Sequence, residues 1–223
     1  AGARDILTVA PLATIISTIL GTALGLAMGY FGGLIDEILS RIVDAVLALP
    51  TVIVALLALT ALGTSTFTVL CVIGFTFAPI IARTVRASVL AERGLDYVAA
   101  AELRRESRLY IMFVEILPNV IPPILVEMTV RLGYSIFTVA TLSFIGFGIQ
   151  PPSPDWGLSI SSNYGLIGGC YWRTVVFDSA AIASLVIGIN LVADRIQSTL
   201  DDSVRTPRLA TRECRCRVPG EGS

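Results

Sequence analysis

The sequence predicts an all-α polytopic membrane helical bundle, and three observations predict it. Hydrophobic residues make up 54% of the chain and charged residues only 15%, with a mean hydropathy of +0.80. Soluble domains carry about 25% charged residues, so a water-soluble globular core is excluded. Two long stretches, 6–35 and 45–82, contain no charged residue. All 16 basic residues are Arg, and most of them gather in a few polar segments between the apolar runs.

A spanning helix needs about 20 mostly apolar residues. The first span is placed at 7–30 and is broken by Phe31-Gly32-Gly33. The stretch 45–82 is too long for one helix and suits two, with Gly63-Thr64-Ser65-Thr66 as the turn. The second and third spans are then 44–62 and 67–90. The third carries Arg83 and Arg86 near its end, where long side chains reach the interface. A fourth span at 120–144 contains Glu127 and Arg131, and a fifth at 174–193 has Asp178 near its start. Asp178 reads as an interfacial residue. The connecting segment 146–172 is rich in Gly, Pro and Ser, and its Trp156, Tyr171 and Trp172 suit a re-entrant or interfacial stretch. The spans form one domain, 1–202, with a cytoplasmic loop at 91–118. The polar tail 203–223 is expected to be disordered.

Arg placement sets the orientation. With five spans, Arg41, the six Arg of 83–108 and the six that follow Asp194 share one side, and only Arg4 and Arg173 lie on the other. The positive-inside rule makes the Arg-rich side cytoplasmic. The first residue is then outside, with no basic leader before it. A further span upstream of Ala1 is expected.

Composition also narrows the chemistry. There is no His, which removes the usual general base and the commonest metal ligand. Net charge is −1, so no nucleic-acid surface is indicated. Cys71 lies in an apolar run and reads as a packing residue. Cys214 and Cys216 stand in the tail without further ligands, against the four a structural metal needs. No metal site and no catalytic residue is expected. No Gly-rich phosphate loop of the Lys-Ser/Thr type is present, so ATP hydrolysis by this chain is excluded.

Two segments carry charge into this apolar frame. From Asp96 to Asn119 the chain reads DYVAAAELRRESRLYIMFVEILPN. Ala99, Ala100, Ala101 and Leu103 favour helix, and the small side chains make it slim enough to enter a groove on a partner. Pro118 lacks an N–H and restricts Leu117, so one helix is expected to stop there and another to begin. Residue types alone leave a solvated juxtamembrane helix and a docking surface both open. Glu127 and Arg131 stand four apart within the fourth span. They either neutralise one another in the bundle or face a translocation pathway.

The 96–119 segment resembles the cytoplasmic coupling loop of bacterial ABC-importer permeases. Asp96, Tyr97, Val98, Ala100, Ala101, Phe113, Leu117, Pro118 and Asn119 fit that pattern, while Ala99 replaces its Glu and Arg105 replaces its Gly. In the family that Gly allows a sharp turn between two short helices. Leu142 to Gly157, LSFIGFGIQPPSPDWG, resembles the signature of the peptide/nickel branch through Gly146, Gly148, Gln150, Pro151, Pro152, Trp156 and Gly157. The turn at 30–36, the run from Asp44 to Pro50 and the stretch from Leu191 to Asp201 are similar to further family segments. The resemblance covers about 2–202.

That resemblance implies a type I ABC importer permease (MetI-like) fold, with six spans in the intact protein. It implies a multi-pass protein of the bacterial cytoplasmic membrane, one half of a pathway for di- or oligopeptides. Its partners would be a second permease subunit in a heterodimer, two cytoplasmic ABC ATPase subunits and an external substrate-binding protein. ATP and Mg would bind the ATPases, and no cofactor would bind this chain. Nickel and glutathione importers share the signature, and a degenerate, non-transporting paralogue is a further alternative. An ion-driven secondary transporter is disfavoured because no internal repeat is found.

Overall fold

The computed structural model describes residues 3–149, 155–169 and 172–213, and every regular element among them is helical. Helix α1, Ala3–Phe31, ends where Gly32 takes φ 62°. Helix α2, Gly33–Leu47, and helix α3, Thr51–Leu62, follow, separated at Pro50. Helix α4 is Thr66–Arg93, and its N-terminus is capped by Ser65, whose Oγ accepts from the Thr68 N–H at 3.1 Å. The short α5, Asp96–Leu103, precedes α6, Arg108–Tyr110. A π-helical turn, Ile111–Ile116, joins α6 to α7, Leu117–Ile145. Helix α8, Trp156–Asn163, and a 3-10 segment, Tyr164–Gly169, lead to α9, Trp172–Glu213.

Among the described residues, four helical stretches are long and apolar enough to cross a bilayer: Arg4–Phe31, Thr66–Arg93, Arg108–Ile145 and Trp172–Val192. They overlap the first, third, fourth and fifth spans read from the sequence, the fourth starting earlier, at Arg108. The second differs. It is a pair of helices, α2 and α3, bent by 88° at their break. Pro50 cannot donate a helical hydrogen bond and disfavours helical geometry at Leu49, so the pair cannot run through as one rod. Helix α3 has 12 residues, about 18 Å of rise, and is short for a bilayer core of about 30 Å.

The segment between the first and second spans read from the sequence is itself helical, within α2, Gly33–Leu47. Its three faces are distinct. Leu39, Val43 and Leu47 pack inward near Met28 and Ala82. Leu34, Ile35, Ile38 and Ile42 are exposed on a second face. Glu37, Arg41 and Asp44 form a third, exposed and charged. Such a three-way division suits a helix lying along a membrane surface.

Helices α1 and α4 run parallel along a glycine seam. A Cβ on Gly21 would sit 2.7 Å from both the Ala78 carbonyl oxygen and the Ile81 Cβ. On Gly25 it would sit 2.6 Å from the Val85 Cβ, and on Gly29 2.7 Å from the Val89 Cβ. Only glycine permits this approach. In lipid, helix association rests on such close packing, because there is little hydrophobic gain between helices. Helix α7 crosses both, and the buried Thr14 hydroxyl donates to Ser135 Oγ at 3.0 Å, linking α1 to α7.

The two larger core clusters stand at opposite ends of the bundle. One cluster gathers Ile6, Val9, Leu59, Val69, Ile73, Ile136 and Leu142 at one end of the bundle. The other gathers Leu26, Val85, Val89, Val98, Ala101, Ile111, Ile116 and Val120 at the Arg-rich end.

Two further differences concern helix ends. No stop occurs at Leu117-Pro118, since Arg108–Ile145 is one continuous helical stretch. A π turn, Ile111–Ile116, lies just before Leu117, and the helix carries Pro118 through without a break. Beyond the fifth span, α9 continues to Glu213, through residues expected to be disordered. No glycine follows Gly188 to interrupt it before that point.

Candidate functional site

Helix α5 is held by two inward side chains. Val98 and Ala101 are buried, three residues apart on one face, against Val85 and Val89 of α4 and Ile111 of the π turn. Ala99, Ala100 and Leu103 point the other way, and Leu103 is 86% exposed. The three alanines read together in the sequence thus divide, with Ala101 in the core and Ala99 and Ala100 on the surface. The exposed face is small, apolar and ringed by Arg104, Arg105, Glu106 and Arg108.

Asp96 stands exposed in the first turn of α5, where a negative charge suits the helix dipole. The half-buried Tyr97 donates its hydroxyl to Glu92 Oε2 at 2.8 Å. Burial, with the Glu92 carboxylate beside it, pushes the Tyr97 phenol up to about 12. Leu117 packs beside the inner cluster, and Pro118 and Asn119 are exposed. Asn119 Nδ2 donates to the Glu115 carbonyl at 2.8 Å.

Helix α5 ends in a Schellman turn. The Arg105 N–H donates to the Glu102 carbonyl at 2.9 Å and the Glu106 N–H to the Ala101 carbonyl at 3.3 Å. This motif needs a left-handed residue at its centre, and Arg105 supplies it with φ 58°. Among the described residues it is the only non-glycine with positive φ. The sharp turn survives although its glycine is absent. Arg104 anchors it, pairing with Glu115 at 3.0 Å and more loosely with Glu106 at 3.8 Å.

The second sequence-predicted group lies at the opposite end of the bundle. Gly146, at φ 94°, centres another Schellman turn on α7. Its N–H donates to the Ser143 carbonyl at 3.1 Å and the Phe147 N–H to the Leu142 carbonyl at 2.9 Å. The Ser143 hydroxyl accepts from the Ile149 N–H at 3.1 Å, and a Cβ on Gly148 would collide with Ser143. Gly157 leaves room for the Ala140 carbonyl oxygen, 2.5 Å from where its Cβ would stand. Trp156 packs against the outer core cluster, beside Ile149. Gln150, Pro151 and Pro152 lie outside the described residues, as do Cys170, Tyr171, Cys214 and Cys216.

Asp155 was not singled out from the sequence. It is buried and caps α8, accepting from the Leu158 N–H at 3.2 Å through Oδ2. Its Oδ1 has no partner among the described residues. Burial raises its pKa above the usual carboxylate value, opposed by hydrogen bonds that include Ser143. The Pro-Asp-Trp-Gly string, an N-cap before a helix, was the available signal.

Glu127 and Arg131 pair with each other at 2.6 Å, both largely buried, and Arg131 also lies 5.1 Å over the Tyr134 ring. This geometry is the self-neutralising arrangement. No group of three or more metal-ligating residues occurs among the described residues.

Residues 21–206 match the family described as binding-protein-dependent transport system inner membrane component. The chain is 36% identical over 172 residues to the dipeptide transport system permease protein DppC of Alkalihalophilus pseudofirmus, covering 77% of this chain and 56% of that protein. It is 36% identical over 168 residues to DppC of Escherichia coli, covering 75% and 56%. It is 33% identical over 168 residues to the di/tripeptide permease DppC of Pseudomonas aeruginosa, covering 75% and 55%. The chain therefore spans little more than half the length of these relatives. Among solved structures, an inward-facing MetNI methionine ABC transporter superposes with a TM-score of 0.71 at 21% identity, covering 89% of this chain and 94% of that one. An amino acid ABC transporter gives 0.65 at 17% identity, covering 87% and 90%.

Proposed function

Because this chain belongs to the family of binding-protein-dependent transport system inner membrane components, we propose that it forms half of the pathway by which an ATP-driven importer moves di- or oligopeptides across the cytoplasmic membrane. It pairs with a second permease subunit. Two cytoplasmic ABC ATPases bind ATP and Mg and do the hydrolysis, and an external binding protein delivers the substrate. The observation that carries this reading is α5. It is locked to the bundle by Val98 and Ala101 and offers Ala99, Ala100 and Leu103 to a partner. The retained left-handed turn at Arg105 also favours working coupling over a degenerate paralogue.

The peptide assignment rests on the named relatives and the 142–157 signature. It is tested by reconstituting the chain with its second permease, ATPases and binding protein in proteoliposomes. ATP-dependent uptake of a labelled dipeptide, not displaced by excess nickel or glutathione, is expected. Uptake of nickel or glutathione without dipeptide uptake would reject it. Orientation is tested separately with Ser107→Cys and Ser153→Cys, which should label from opposite sides of intact cells.

A further inference from the structure

A polar cavity of about 180 Å³ opens at the Arg-rich end of the bundle, walled by Tyr30, Phe31, Arg93, Glu102 and Arg108. It joins the ends of α1 and α4 to α5 and α6, and shares Arg108 with the rim of the exposed α5 face. Its charged residues, Arg93, Glu102 and Arg108, are exposed to solvent. Neither Arg93, Arg108 nor Glu102 takes part in an ion pair among the described residues. Arg93 lies over the Tyr30 ring at 6.0 Å, and its Nη1 is 3.2 Å from where a Cβ on Gly32 would stand. Tyr30 is largely buried, and its hydroxyl, which makes no hydrogen bond among the described residues, keeps access to solvent.

Two cations and a phenol donor suit a phosphate, because Arg presents several donors in a fixed fork. Glu102 does not suit a pure anion, but it suits a cation attached to one. The surroundings are those of a membrane surface. Phe31 is partly exposed on the rim, and the exposed apolar face of α2 begins three residues later with Leu34, Ile35, Ile38 and Ile42. A ligand held here would have a polar head in the cavity and an apolar body beside α2.

We propose that this cavity holds the headgroup of a cytoplasmic-leaflet phospholipid that carries both phosphate and ammonium. The phosphate sits between Arg93 and Arg108 with the Tyr30 hydroxyl as a third donor, and the ammonium meets Glu102. The acyl chains lie against α2. This assignment rests on the orientation given above but not on the transported substrate.

The test uses the full chain, purified in detergent and delipidated, with retained lipid read by native mass spectrometry. The probes are dioleoyl phosphatidylethanolamine, phosphatidylglycerol and phosphatidylcholine at equal mole fraction. Wild type should retain phosphatidylethanolamine above the other two. Arg93→Gln and Arg108→Gln should each lower that retention about tenfold, the scale of one charge-assisted contact. Glu102→Gln should abolish the preference over phosphatidylglycerol. Tyr30→Phe keeps the ring and loses only the donor, so a reduced retention there, at unchanged melting temperature, supports the site even where an Arg variant fails to fold. Stronger retention of phosphatidylglycerol by wild type overturns the proposal. So does unchanged retention in the Arg93→Gln/Arg108→Gln double variant, or equal competition by free O-phosphoethanolamine, which would make the ligand soluble.

Discussion

Arg86 of α4 and Asp36 of α2, fifty positions apart, form a bidentate ion pair, with Nε–Oδ1 at 2.5 Å and Nη2–Oδ2 at 2.6 Å. Ser40 adds a hydroxyl donor to the same carboxylate at 3.1 Å. The pair fixes α2 across the end of α4 and gives an Arg near the membrane a defined partner. Asp36→Asn should lower thermal stability in detergent by about 1–2 kcal/mol. The double variant Asp36→Arg/Arg86→Asp should recover part of that loss. No recovery in a double-mutant cycle would mean that the two residues act separately.

The glycine seam predicts a sharp positional contrast. Gly25→Val drives side-chain carbons into Val85 and the Ala82 carbonyl and should cost about 1–3 kcal/mol or block insertion. Gly188 has nothing within 4 Å of where a Cβ would stand. Gly188→Ala in α9 should therefore be neutral or gain about 0.5–1 kcal/mol. Melting temperature of the two purified variants separates them.

The two Schellman turns should respond with opposite signs. Arg105→Gly relieves a left-handed side chain and should stabilise the α5 end by about 1 kcal/mol, while Gly146→Ala should cost about the same. In the reconstituted importer, Arg105→Gly should also strengthen substrate-stimulated ATP hydrolysis. A lower rate would instead make Arg105 a contact to the ATPase.

Ala100 and Ala101 are neighbours with different duties. Ala100→Glu places a charge on the docking face and should cut ATPase affinity by about 2–4 kcal/mol with the melting temperature unchanged. Ala101→Glu buries that charge beneath α5 and should lower the melting temperature itself. Co-purification of the ATPase with Ala100→Glu at wild-type yield would remove α5 as the coupling surface.

Tyr97 supplies a pH prediction. Its phenol is raised from 10.0 to about 12, so its share of stability is complete below the unfolded value and is lost as pH climbs through about 12. Stability followed from pH 9 to 12.5 should fall less steeply in Tyr97→Phe than in wild type.

The first and third spans were legible from uncharged runs, the fourth and fifth from long apolar stretches that hold only one or two charges. The second was not. Pro50 sits where the apolar run looks continuous, and α2 announces itself only by the spacing of Leu34, Ile38 and Ile42, which a search for long uncharged runs passes over. Helix α5, proposed as the docking helix, was visible as an Ala-rich charged segment. Its exposed face was not, because the split between Ala100 and Ala101 depends on where Val98 meets α4. Arg86 looked like a residue reaching for the interface, since nothing in the local sequence points to Asp36. The outer signature was recognised as a string, but its physical role came from the fold. Gly146, Gly148 and Gly157 let the chain fold tightly back on Ser143, and Asp155 starts the next helix.

The seam between α1 and α4 works like the teeth of a rack. Gly21, Gly25 and Gly29 meet Ile81, Val85 and Val89 one to one, at the same four-residue interval on both helices. Four residues rise about 6 Å. Any smaller axial slip would carry each branched side chain off its glycine and onto a neighbour that has a Cβ. Sliding is therefore indexed rather than continuous, and a push at α5, under the coupling role proposed for it, would reach the far end of this pair without being absorbed as creep between them.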